Sequence, residues 1–302
     1  MVPESWTAAA YETRSDSGRE ITAILLEAEG YFRPPPPFYH LICIFRTGSW
    51  RVGPLNVGTD HHYWTERAEA ISGRSAPSAR SGNVVRTLIP VLDSFIGGLK
   101  PNHLTLIDSA DRMLFDLTHM LCVNGVSVLN SDVVWIDGGN SVDPYEIGRI
   151  CRRFGRHRDE VLDSIRVARA FTAYQLVSLI DERLEDEVER SGAGMVVLSC
   201  LPDLFLDKEM RWSESYSLLR QCVERTLSLT RRKGLVTVIT NLGLMKIVQR
   251  KSLKNLLYGT ADDIIRIERA SRALRISLPN RQEWMLYHPV PHYQTTLEEF
   301  MM

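Results

Sequence analysis

From about Val85 onward, short unbroken apolar runs alternate with longer stretches whose apolar residues recur every three or four positions. "HLTLID" (103–108) predicts a strand, followed by a helix through Cys122. "DVVWID" (132–137) predicts a buried strand, and Pro144 stands where proline suits the first turn of the next helix. "IRVARA" (165–170) predicts a third strand, then a helix from about Ala173 to Arg190 that "SGAG" stops. "MVVLSC" (195–200) is the fourth strand. Ser213 is placed to cap a long helix whose apolar face carries Tyr216, Leu219, Val223 and Leu227 and which Gly234 ends. "LVTVIT" (235–240) is the fifth strand. Strands that are apolar throughout and separated by helices specify an α/β fold, a mainly parallel β-sheet flanked by helices. Past Asp263, "IIRIERA", "ALRISLP" and "EWMLYHP" predict a C-terminal antiparallel meander.

Residues 1–84 have a different texture. They hold "RPPPP" (33–37), the loop-like "SGRSAPSARSG" (72–82) and two strand-like runs, Ile21–Leu26 and Tyr39–Phe45. No period is sustained long enough to name a fold there, and part of the region reads as loop or disorder. After Met1 the next methionine is Met113, so a start further along the chain is one reading of this region. The chain therefore divides into 1–84, a core at 85–288 and a tail at 289–302.

Composition narrows the chemistry. The 302 residues are 44% hydrophobic and 24% charged with a net charge of −1, so no global basic field draws nucleic acid or anionic lipid, and such binding needs a local patch. Five cysteines, odd in number and without a C-x-x-C pair, fit a reducing cytoplasm. No apolar run reaches the length of a membrane span, and no membrane contact is expected. His61-His62 and the pair His288 and His292 point only weakly to metal, and no metal site is expected.

In such a sheet a nucleotide phosphate would sit at the first strand-to-helix turn. A phosphate loop needs glycines for backbone N–H approach, a lysine for charge and a hydroxyl for Mg²⁺. The turn here is "DSADRMLF" (108–115), with no glycine and no lysine. Asp108 and Asp111 would repel a triphosphate; Arg112 could contact a phosphate, though a lone arginine is more often a solvated helix residue.

The order "LIPVLDSFIGGLKPNHLTLID", "VVWIDGGNSVDPYEI", "DEVLDSIRVARAFTAYQ", "MVVLSC" and "VTVITN" resembles the ATPase core of the RecA/RadA recombinase family, especially its archaeal RadA and RadB branch. The resemblance covers about residues 85–290 and implies a RecA-like core. It also implies that four chemical roles are lost. The family's phosphate loop falls on 108–115 without its lysine and hydroxyl. Its catalytic glutamate falls on Gly139, its metal-linked aspartate on Cys200 and its γ-phosphate-sensing glutamine on Leu242. The expectation is a pseudo-ATPase with no cofactor. The segment F-x-x-A used for filament formation is not found.

The family's two DNA-facing loops correspond to 206–215 and 243–255. The second carries Lys246, Arg250, Lys251 and Lys254, suited to salt-sensitive contact with single-stranded DNA. In the first, Arg211 and Trp212 could add a cation and a stacking ring, though a core tryptophan is the plainer reading. The arginines at 149, 152, 153, 156 and 158 lie on or just after a helix end, where cations are favourable anyway.

The chain ends in "QTTLEEFMM". Gln294, Leu297 and Phe300 are spaced by three, so a 3₁₀ turn aligns them on one face, and Met301 adds an apolar anchor. Thr295 with Glu298 can cap the turn, and Pro289 and Pro291 keep the segment extended. Burial of such anchors, less ordering costs, supports roughly micromolar binding, about −8 kcal/mol. The tail resembles the PCNA-interacting peptide that docks DNA enzymes on the sliding clamp, with Met301 in place of the usual second aromatic. Three readings follow. The first is a non-catalytic, nucleoid-associated adaptor in DNA recombination, repair or replication that joins the PCNA clamp to a RadA-type recombinase or DNA. The second is a divergent nucleotide-binding RecA/KaiC-type ATPase or regulator, with Arg112 on the phosphates. The third is a plain interaction module for a recombinase, with the tail buried on its own core.

Overall fold

The computed structural model describes residues 84–207, 209–243, 251–271 and 273–289 in full, with the backbone of four short strands nearer the N-terminus. Three of these, β1 (Trp6–Arg14), β2 (Glu20–Ala28) and β3 (His40–Ile42), form a small antiparallel sheet. The runs at 21–26 and 39–45 fall on β2, β3 and β4 (Ile44–Phe45). Strand β1 was not predicted, because its three consecutive alanines hide the alternation that marks a half-buried strand.

The remaining strands build the main sheet. They are β5 (His103–Ser109), β6 (Val133–Asp137), β7 (Ile165–Arg169), β8 (Met195–Ser199), β9 (Val236–Leu242), β10 (Asp263–Ala270), β11 (Ala273–Leu278) and β12 (Glu283–Tyr287). With β4 at one edge the order is β12-β11-β10-β5-β9-β8-β6-β7-β4. Strands β5 to β10 run parallel to one another, and β4, β11 and β12 pair antiparallel at the two edges. This is a RecA-like mixed sheet. One detail corrects the expected meander: its first strand, β10, pairs in parallel with β5, from Asp263 against Thr105 to Ile267 against Ser109, so it extends the parallel sheet.

Alternation along each central strand feeds two cores. Ile107, Val133, Trp135, Met195, Val197, Val236 and Val238 face one, and Leu104, Leu106, Val134, Ile136, Val196, Leu198 and Ile239 the other. Helices α1 (Pro90–Ile96), α2 (Met113–Leu129), α3 (Pro144–Arg153) and α4 (Arg158–Asp163) cover the first. On the second lie α5 (Ala173–Ser178), a π-helical turn at Leu179–Arg183, α6 (Leu184–Ser191), α7 (Trp212–Lys233) and α8 (Lys251–Thr260). Both sides being covered, β5, β6 and β8 are buried almost from end to end.

Helix boundaries show where local signals held. Asp143 caps α3, accepting N–H bonds from Tyr145 and Glu146, with Pro144 at the first position. Gly192 and Gly234 end α6 and α7 in the left-handed region. Ser213 does not cap α7, which begins one residue earlier after Arg211, with no side-chain cap bond. Helix α2 runs to Leu129, past Cys122. Packing outweighs the poor propensity of Asn124 and Gly125: a Cβ at Gly125 would lie 2.7 Å from Met195 Sδ, so glycine lets α2 lie against β8.

His119 ties α2 to α3. Its Nδ1 is 2.6 Å from the Phe115 carbonyl, its Nε2 accepts the Asp143 N–H at 2.9 Å, and its ring packs T-shaped with that of Trp135, 5.1 Å between centres. Accepting at Nε2 requires the neutral ring, and burial lowers its pKa below the ordinary histidine value. The unfolded chain therefore binds more protons than the native one below about pH 6.5. This contribution to stability is present above that value and is lost as pH falls below it. Urea midpoints at pH 7.5 and 5.5 should drop more for the wild type than for His119→Gln.

Candidate functional site: a closed turn at the head of the sheet

The residues expected to mark a nucleotide site gather at the C-terminal ends of β5, β6, β8 and β9. Leu242 pairs with Ser109, and the Gly243 N–H closes on the Ser109 carbonyl at 3.0 Å. On the other side, the Ala110 N–H donates to the Ile267 carbonyl on β10 at 2.8 Å. The turn after β5 is thus stitched to both neighbouring strands.

Four further N–H groups of the turn are committed internally. The Asp111 N–H donates to Ser109 Oγ at 3.0 Å, and the Met113 N–H to Asp111 Oδ1 at 2.9 Å. The Leu114 and Phe115 N–H groups bond the carbonyls of Asp111 and Arg112. A phosphate cradle works by aiming such groups outward at an anion. Here five of them, on residues 110, 111, 113, 114 and 115, are bonded within the protein. Asp111 is further held by Arg269 Nε at 2.7 Å, and Arg112 lies exposed with its guanidinium 6.0 Å from the Phe115 ring centre.

Asp108 corrects the sequence reading. Its carboxylate does not face the turn but points beneath α8. There it accepts Asn241 Nδ2 and the Tyr258 hydroxyl, both at 2.7 Å. Burial raises its pKa, against the lowering effect of those donors and of Arg266 and Lys254. The same burial, with the Asp108 charge, pushes the Tyr258 phenol up. Asp108 is therefore an anchor for α8. Period-2 alternation places it on the side of Leu104 and Leu106; its partner Tyr258 is 150 residues away and gives no local signal.

Beside the turn, Asp137 ends β6 with its carboxylate fully enclosed. It accepts the N–H groups of Gly139, Ser141 and Val142 and the hydroxyls of Ser141 and Ser199, and lies 3.5 Å from Arg169 Nε. Ser199 in turn accepts Trp135 Nε1 at 2.9 Å. Ser141 and Ser199 were not singled out from sequence, since isolated serines carry no pattern. At Gly139, the position the resemblance assigned to the catalytic glutamate, a Cβ would lie 2.5 Å from Cys200 Sγ and 2.8 Å from its Cβ. Cys200 is buried in the left-handed region, its N–H on Thr240 Oγ1. Burial, then Asp203 and Asp137, pushes its thiol up to about 12, so it is no nucleophile at neutral pH. No group of His, Cys, Asp or Glu among the described residues is arranged to hold a metal ion.

A sequence model of the Rad51 family matches residues 93–248, just over half of the 302. The chain belongs to the Rad51 family. It therefore stands among the RecA-like proteins of recombination and repair. No curated protein sequence matches it significantly. In this Rad51-family chain two of the cations expected in the second DNA loop lie on a helix: Lys251 and Lys254 are on α8, Lys251 exposed and Lys254 with its ammonium 5.0 Å from the Tyr258 ring centre. Lys246 and Arg250 lie outside the described residues. Between Leu206 and α7 the first loop shrinks to about five residues, and Trp212 is not in the core: it is 43% exposed at the start of α7, packed on Tyr216. Gln294, Leu297, Phe300 and Met301 also lie outside the described residues, as do His61, His62 and His292. No helix of the described residues is long and apolar enough to cross a membrane.

The contact between Gly139 and Cys200 makes a measurable demand. Gly139→Ala should destabilise the protein by about 1–3 kcal/mol through overpacking. On a Cys200→Gly background, which opens the space and suits the left-handed backbone, most of that penalty should vanish. A double-mutant cycle of urea midpoints reads the difference directly.

Proposed function

We propose that this chain is a non-catalytic member of its family, an adaptor that acts by binding partners and not by hydrolysing ATP. The observation that carries the reading is the turn at Ser109–Phe115, where the N–H groups of Ala110, Asp111, Met113, Leu114 and Phe115 are bonded within the protein and an ATPase would turn such groups to phosphate. The Gly139–Cys200 contact supports it, because a general base has no room there. Calorimetric titration with Mg-ATP should give no heat of binding, and no phosphate release should exceed a no-enzyme control. Saturable binding, abolished by Arg112→Ala, would instead establish the divergent nucleotide-binding regulator.

The partner reading rests on the sequence of the tail. Gln294, Leu297, Phe300 and Met301 dock the protein on the PCNA sliding clamp, while the core meets a RadA-type recombinase or single-stranded DNA. The cations from Lys246 to Lys254, with Arg211 and Trp212, are the DNA-facing candidates. Two weak contacts on one molecule reinforce each other through effective concentration. In a pulldown, the full chain should retain clamp, and a chain ending at His292 should lose it. Equal retention by both would assign clamp binding elsewhere, and no retention by either would end the clamp reading.

A further inference from the structure

We propose that β12 is a self-association edge, along which two copies of this chain pair antiparallel to join their sheets. The proposal stands apart from the clamp and nucleotide readings, because neither the closed turn nor the tail enters it.

Strand β12 closes the sheet order and, among the described residues, has a strand partner on one side only. Its sequence, Glu-Trp-Met-Leu-Tyr, contains neither lysine nor proline, the residues that usually blunt an edge. Its two faces differ. Met285 and Tyr287 turn inward and pack on the first core. Trp284 and Leu286 turn the other way and are 55% and 50% exposed, two of the large apolar groups that the described residues leave open. Arg275, opposite Leu286 on β11, lays its guanidinium 4.7 Å from the Trp284 ring centre. The second core ends before this face.

The strand is complementary to itself. In an antiparallel pair centred on Met285, all five residues find partners. Trp284 lies opposite Leu286 of the partner subunit, and Leu286 opposite the partner subunit's Trp284, an aromatic–aliphatic cross-strand pair made twice on one face. Glu283 lies opposite Tyr287 of the partner subunit, so no like charges meet. Met285 meets its own copy on the axis. A shift of the centre in either direction leaves residues unpaired at both ends and separates Trp284 from Leu286. A second copy is the one partner certain to carry this matching edge, and twofold pairing is the usual symmetry of such an interface. Five residues a side gives an area at or below the low end of specific interfaces, about 1,200 Å². The dimer should therefore be reversible, forming across micromolar concentrations.

Sedimentation velocity on the full chain from about 1 to 100 µM should show a concentration-dependent shift from monomer to dimer. Trp284→Glu combined with Leu286→Glu, both at exposed positions, should keep the thermal melt and remain monomeric throughout. Met285→Cys should give a disulfide-linked dimer on mild oxidation that the parent chain, treated alike, does not give. A parent chain that stays monomeric at 100 µM, a dimer that survives the double substitution, or a Met285→Cys chain that fails to cross-link would each overturn the assignment.

Discussion

A single buried carboxylate organises the head of the sheet. The Asp137 side chain is closed off from solvent, and a polar group so buried must be hydrogen-bonded; donors converge on it from its own loop and from β8. Those bonds fix Gly138 to Val142, and this places Asp143 to cap α3 and to meet His119 of α2. Ser199 and Trp135 complete the chain of contacts across β6 and β8. Loss of any donor would leave charge or polarity buried without compensation, which is costlier than the bond itself.

Such saturation has a functional side. A carboxylate near a phosphate site usually keeps acceptor capacity for a metal-bound water or a reacting group. Here Asp137 is engaged by the protein, Asp108 is turned under α8, and Asp111 is bonded to Arg269. The turn between β5 and α2 is sewn to β9 and β10. Most of the polar groups at this turn are thus spent on the protein's own structure.

The strands and most helix ends were legible because their signals are local. Pro144 and Asp143 start α3, Gly192 and Gly234 end α6 and α7, and unbroken apolar runs mark β5, β6 and β8. The turn 108–115 shows no glycine and no lysine on inspection, whereas Gly139 drew notice only through the family resemblance. The direction of Asp108 and the partners Asn241, Tyr258 and Arg269 could not, since each lies more than 130 residues from the group it meets. The length of α2 and the start of α7 depended on packing against β8 and on a cap without side-chain help, where propensity misleads.

Sequence alone determined the class of fold, because periodicity and residue identity are properties of the chain. The tertiary structure decided what the remaining groups do. Whether an acid faces a ligand or a helix, whether an N–H is open or bonded, and whether a side chain fits at Gly139 depend on atoms brought together from distant strands. Burial then sets the charge and reactivity of groups such as Asp108, His119 and Cys200, and burial exists only once the sheet and its two layers of helices have closed.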